Sequence, residues 1–213
     1  ARTPTFTCKL TGVWGTSASD VMALCSIGAI ARYNGLNWSI SFIPNSLDKS
    51  ALWGSDASNL WAVGDGGQIH KWDGAAWTAV NGDGDFYQAV WGPDASNVWA
   101  IGALGVIRKW SPSGWSLQPS GTTDLLRGIW GTSATNAWLV GENGTIMKWD
   151  GSVWTPQASG VTVSLNGIWG ADANNVWVVG SDGIILKWNG ATWTQQNSGT
   201  TAILSGVWGT STS

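Results

Sequence analysis

Charge is scarce in this chain. Only 11% of its 213 residues are Asp, Glu, Lys or Arg, about half the share of an ordinary globular protein. It has one histidine (His70), one glutamate (Glu142), two tyrosines (Tyr33, Tyr87) and four arginines. That inventory leaves little from which to build an active site, and no Cys/His/Asp/Glu group has metal-ligand spacing. We therefore expect no enzyme, no metal and no cofactor. The net charge is −3 and the cations are spread along the chain, which excludes the basic face that nucleic acid requires. No run approaches 18 apolar residues, so no membrane-spanning helix is expected. The opening Ala1-Arg2-Thr3-Pro4, without methionine, suits a processed mature chain.

Glycine (30) and tryptophan (19) are abundant instead. Trp14, Trp53, Trp91, Trp130, Trp169 and Trp208 recur every 38 or 39 residues, each followed by glycine. Around them the sequence repeats as SALWGSDASNLWAVGDGGQIHKWDGAAWT, QAVWGPDASNVWAIGALGVIRKWSPSGWS, RGIWGTSATNAWLVGENGTIMKWDGSVWT and NGIWGADANNVWVVGSDGIILKWNGATWT. A diverged copy, TGVWGTSASDVMALCSIGAIARYNGLNWS, comes first. Such a period marks units that bury their apolar faces only against neighbours.

Each unit reads as four short strands separated by turn signals. In the second, strand A lies near Ser50–Gly54 and turns at Ser55–Ser58. Strand B is Leu60–Val63, followed by a tight Gly64–Gly67 hairpin. Strand C is Gln68–Trp72, strand D starts near Trp77, and Val80–Gln88 crosses to the next unit. Helical solenoids would show a 3.6-residue period, which is absent. The expected fold is all-β: a β-propeller of five four-stranded blades of about 39 residues. It should form a single domain over 1–213, with repeats near 11–49, 50–87, 88–126, 127–165 and 166–204. A sixth strand A follows at 205–213, and Arg2-Thr3-Pro4 echoes Trp154-Thr155-Pro156. This surplus could close the ring, pair with another chain, or belong to a longer array.

The pattern V-W-G-x-x-A-S-N-V-W-A-V-G-x-x-G-x-I-x-K-W-D-G-x-x-W resembles the tandem-propeller repeats of secreted myxobacterial proteins. It is also similar to photosystem-assembly-factor and BNR-type propeller repeats. The D-G-x-x-W segments at Asp73 and Asp150 resemble the tail of the sialidase Asp-box, with Lys71 and Lys148 where that box carries Ser or Thr. A sialidase-like site would also want an arginine cluster and a tyrosine nucleophile, which this inventory does not offer. Aspartates from different blades could still meet as a hydrolytic pair. Unique catalytic residues should break the repeat, however, and it is broken mainly by its cysteines and the apolar drift of the first copy.

The tryptophans fall in four columns, one on each strand. Three suit blade-to-blade packing. The strand D column (Trp38, Trp77, Trp115, Trp154, Trp193) adjoins a turn and a polar crossover, and is the candidate ligand-binding set, its indoles stacking on sugar rings. Weak repeated sites gain by multivalency, so the expected function is lectin-like binding of a glycan or cell-surface polymer. The alternative is an interaction scaffold that forms homo-oligomers through its terminal strands. The basic column Arg32, Lys71, Lys109, Lys148 and Lys187 could meet an anionic polymer, lie over indoles, or keep its stems buried with the charge in water. Asn81–Asp85 resembles the start of a calcium loop but lacks the downstream Glu, and reads as a Gly-Asp turn. Cys8 and Cys25 fall opposite one another across a hairpin centred on Thr16–Ser19. A disulfide there implies a secreted or cell-surface protein.

Overall fold

The computed structural model describes residues 7–82 and 84–210; of 81 and 82 it describes only the backbone. Five four-stranded antiparallel sheets follow in chain order. The first holds β1 (Leu10–Ser17), β2 (Asp20–Cys25), β3 (Ala29–Tyr33) and β4 (Trp38–Phe42). The second holds β5 (Lys49–Asp56), β6 (Asn59–Gly64), β7 (Gln68–Trp72) and β8 (Trp77–Gly82). The third holds β9 (Tyr87–Asp94), β10 (Asn97–Gly102), β11 (Ile107–Ser111) and β12 (Gly114–Gln118). The fourth holds β13 (Leu126–Ser133), β14 (Asn136–Gly141), β15 (Ile146–Trp149) and β16 (Trp154–Pro156). The fifth holds β17 (Leu165–Asp172), β18 (Asn175–Gly180), β19 (Ile185–Trp188) and β20 (Trp193–Gln196). Each sheet is an up-and-down meander, the blade of a β-propeller. The chain groups into two compact units, 1–91 and 92–213.

Strand A is longer than the pattern suggests. In the second blade it runs Lys49–Asp56, not Ser50–Gly54, because a one-residue bulge beyond Gly54 lets pairing continue to Asp56↔Asn59. The Asp56 carboxylate closes the loop by accepting from the Ser58 N–H (2.8 Å) and Asn59 Nδ2 (3.0 Å). The Ser58 hydroxyl also donates to it at 2.7 Å, and that bond, with those from Asn59 and the Ser58 N–H, holds its pKa well below the carboxylate norm. Asp94 and Asp172 accept from Ser96 and Asn174 in the same way.

The B–C connection contains a three-residue 3₁₀ turn in four blades. It places Gly66, Leu104, Asn143 and Asp182 at φ between 53° and 63°, a region costly for residues with a side chain. At its last residue, the N–H groups of Gly105, Gly144 and Gly183 donate to the carbonyls of Asp124, Val163 and Ala202 at 2.8–2.9 Å. Each turn thereby holds the crossover that leads into the next blade.

Strand B is the core. Leu60, Trp61, Ala62 and Val63 are all fully buried, as expected of a strand covered on both faces. Strand D is the outer edge of its sheet. Lys49 stands at the start of β5, where β13 and β17 carry Leu126 and Leu165, and is 1% exposed. Its Nζ donates to Gln68 Oε1 at 2.9 Å. Burial lowers its pKa to about 8, against the pull of Asp65 and Asp48. Buried His70 has its pKa lowered by desolvation and by Lys49.

A disulfide joins Cys8 to Cys25 with Cα atoms 6.0 Å apart. It ties the segment before β1 to the end of β2. The echo at Arg2–Pro4, Asp83 of the Asn81–Asp85 insert, and residues 211–213 lie outside the described residues. Residues 205–210, the sixth strand A of the sequence pattern, join none of the five sheets.

Candidate functional site

The D-G-x-x-W segment is a turn with a structural task. The carboxylate of Asp73 accepts the N–H groups of Ala75 and Ala76, both at 2.9 Å. Asp150 does the same for Ser152 and Val153 (2.8 and 2.9 Å), and these bonds depress its pKa. Asn34 and Asn189 accept equivalently through an amide oxygen, which is why Asn replaces Asp in the repeat. The turn delivers the strand D tryptophan opposite the strand C aromatic, in the registers Trp72↔Trp77, Trp110↔Trp115, Trp149↔Trp154 and Trp188↔Trp193.

In the fourth and fifth blades these cross-strand pairs form the face turned to the preceding blade. Trp138 of the fourth blade lies 5.0 Å from Trp188 and 5.4 Å from Trp193 of the fifth, the second contact edge-on at 88°. Trp99 meets Trp149 and Trp154 at 6.1 and 6.5 Å. The strand D column is thus largely occupied by packing: Trp77 and Trp154 are 8% and 7% exposed, Trp115 and Trp193 half-buried. Trp38, at 38% exposed, stacks on Tyr33 at 5.2 Å. The Nε1 atoms of Trp154 and Trp193 are buried without an acceptor.

The basic column follows the same scheme. Lys109 Nζ lies 4.9 Å above Trp99 and 4.9 Å from Trp149 of the next blade. Lys148 lies 4.8 Å above Trp138 and 5.6 Å from Trp188. Lys71 and Lys187 cover Trp61 and Trp177. These are cation–π contacts, and burial lowers the Lys109 pKa accordingly. In the first blade Arg32 instead pairs with Asp20 at 3.1 Å.

A cleft of about 610 Å³ opens between the 118–122 crossover and the outer strands of the fourth blade. Its floor is apolar: Ile146, Met147, Trp149 and Trp154. Its rim carries Gln118, Ser120, Ser152 and Gln157, and exposed Val153. No charged side chain lines it. Beside it β16 is only three residues long and ends at Pro156, so an edge-paired strand would find one donor missing. The sequence reading missed the cleft. Its only signal was the varied stretch before each Ser-Gly crossover (Leu117–Pro119, Pro156–Ala158, Gln195–Asn197).

Among the described residues no group of three His, Cys, Asp or Glu side chains converges on a possible metal site. Among the described residues no helix is long and apolar enough to cross a membrane.

The class that this architecture defines is the β-propeller. No protein-family model matches the sequence, and no curated protein does. Solved structures do match it in fold. YCF48 bound to a D1 peptide aligns with TM-score 0.71 and 16% identity, over 92% of this chain and 70% of that one. YCF48 from Cyanidioschyzon merolae gives 0.71 and 16%, over 89% and 72%. The RRP9 WD40 repeats give 0.79 and 10%, over 95% and 71%. At these identities the likeness is one of fold.

Proposed function

We propose that the protein is a non-catalytic binding module whose fourth blade takes an uncharged, extended peptide in the cleft beside β16. The uncharged lining carries this reading: indole, thioether and aliphatic surface below, two carboxamides and four hydroxyls around it. A volume of about 610 Å³ is within the usual range for ligand sites. Glutamine side chains can both donate to and accept from backbone amides. The YCF48 structure with its D1 peptide, which shares this fold, supports a peptide as ligand. The Cys8–Cys25 disulfide supports a secreted or cell-surface setting.

A glycan is the second reading. It is favoured by the exposed ring of Trp38 and by the place of Trp154 in the cleft lining, with the half-buried Trp115 and Trp193 as further contacts.

Screening the protein against a neutral peptide library and a glycan array tests both. Peptide capture that is lost on Val153→Asp and Gln118→Ala supports the first reading. Glycan capture lost on Trp38→Ala supports the second, and capture of neither class defeats both.

A further inference from the structure

The cleft of the fourth blade has a counterpart built by the next repeat. Its floor of Ile146, Met147, Trp149 and Trp154 recurs 39 positions on as Ile185, Leu186, Trp188 and Trp193. The sheets that carry the two floors match. Trp149 meets Trp154 with ring centroids 5.5 Å apart at 45°, and Trp188 meets Trp193 at 5.5 Å and 47°. The bounding crossovers match as well. Ser120 Oγ donates to the Thr122 carbonyl at 3.2 Å, and Ser159 Oγ donates to the Val161 carbonyl at 3.1 Å. The Gly105 and Gly144 N–H groups hold them in the same way, through Asp124 and Val163. The 157–161 crossover therefore stands to the fifth blade as 118–122 stands to the fourth.

The second floor is the more open of the two. Ile185 and Trp193 are half-buried, whereas Ile146 and Trp154 are 1% and 7% exposed. Its chemistry is equally uncharged, with exposed Thr192 in the place of Val153. The second and third blades differ here, carrying His70 and Arg108 where the fourth and fifth have Met147 and Leu186. In the second blade that place is already taken. His70 Nε2 lies 3.2 Å from the Pro44 carbonyl oxygen, and Gln68 Nε2 donates to the Asn45 carbonyl at 3.0 Å, so the blade's own crossover covers it. Gln157 joins the two open floors. It lines the fourth-blade cleft and begins the crossover that bounds the fifth.

We propose that the peptide groove continues from the fourth blade into the fifth. Its ligand is an uncharged peptide long enough to set one apolar side chain on each floor, crossing over Gln157. This rests on the peptide reading of the fourth-blade cleft. The Gln157 carboxamide can donate to and accept from the peptide backbone between the two anchors. The second contact forms on a ligand already held by the first, so a shallow floor suffices to raise affinity.

Calorimetric titration of the full chain with capped peptides of leucine, proline, serine and glutamine tests the continuation. Peptides of about six and about twelve residues span roughly 20 and 40 Å when extended. The longer should bind about tenfold or more tightly than the shorter. Thr192→Asp should remove that gain, and Thr192→Val, which restores the residue of the fourth blade, should keep it. Thr192 is exposed, so both variants should melt as the parent does. Val153→Asp should weaken both lengths. Ala76→Asp, the same change in the second blade, should alter neither, because the crossover already covers that floor. If the longer peptide gains nothing, or Thr192→Asp leaves its gain intact while Val153→Asp weakens both, the fourth-blade cleft stands alone and the continuation is overturned. If neither length binds, or Val153→Asp has no effect, the cleft reading itself fails and the continuation with it.

Discussion

The indole Nε1 of Trp14 donates to the carbonyl oxygen of Gly54 at 2.8 Å, one repeat further along the chain. The ring lies so close over Gly54 that a Cβ there would come within 2.9 Å of it. Trp130 covers Gly170 and Trp169 covers Gly209 in the same way. At these three junctions the Trp-Gly dipeptide is therefore an interlock: one copy sends a ring forward over the bare Cα of the next.

Gly170→Ala tests the interlock, since its Cβ would overlap the Trp130 ring. Overpacking of this kind costs about 1–3 kcal/mol, and urea unfolding should show that loss. Gly206→Ala is the control, because its Cβ meets nothing. It should stay within about 0.5 kcal/mol.

Lys109 lies between Trp99 and Trp149, whereas among the described residues Lys187 has Trp177 alone within cation–π range. Lys109→Ala should cost about 1–2 kcal/mol, and Lys187→Ala clearly less, by unfolding at low protein concentration. Equal losses would show that the bridging position adds nothing.

Lys49 predicts a pH dependence. Its pKa is about 8 in the folded chain against 10.5 for an ordinary lysine. Between those values the unfolded state keeps a proton that the folded state has lost, so stability rises with pH over that window. Below pH 8 both states are protonated and this contribution is constant. Lys49→Leu, the residue type at the same place in β13 and β17, should remove the rise. It should also raise stability at pH 7 by about 1–3 kcal/mol, as when buried charge gives way to packed apolar groups. Denaturant midpoints at pH 7, 8.5 and 10 check both.

The disulfide closes a short loop, the two cysteines being 17 residues apart. Loop-closure entropy makes it worth roughly 3 kcal/mol. Cys8→Ser with Cys25→Ser should lower the unfolding free energy by that order. The fourth and fifth blades should keep their far-ultraviolet and aromatic circular-dichroism signals.

Much of this architecture was legible in the one-dimensional pattern. Period, strand number and sheet order follow from turn residues that act locally: Asp56 and Asp150 cap their own backbones, and glycine or a short polar residue takes the positive φ of the B–C turn. The Cys8–Cys25 pairing was legible for the same reason, being set by hairpin register. What the pattern could not decide was which tryptophans meet solvent. All five strand D positions read alike, yet Trp154 is buried and Trp38 exposed, because burial depends on whether a neighbouring blade covers that face. The cleft escaped notice because Gln118 and Trp154 are far apart in sequence and meet only when one blade's crossover lies against the next blade's edge. Local hydrogen bonding wrote the blade into the sequence. The surface left open between blades is a property of their packing, which only the tertiary structure decided.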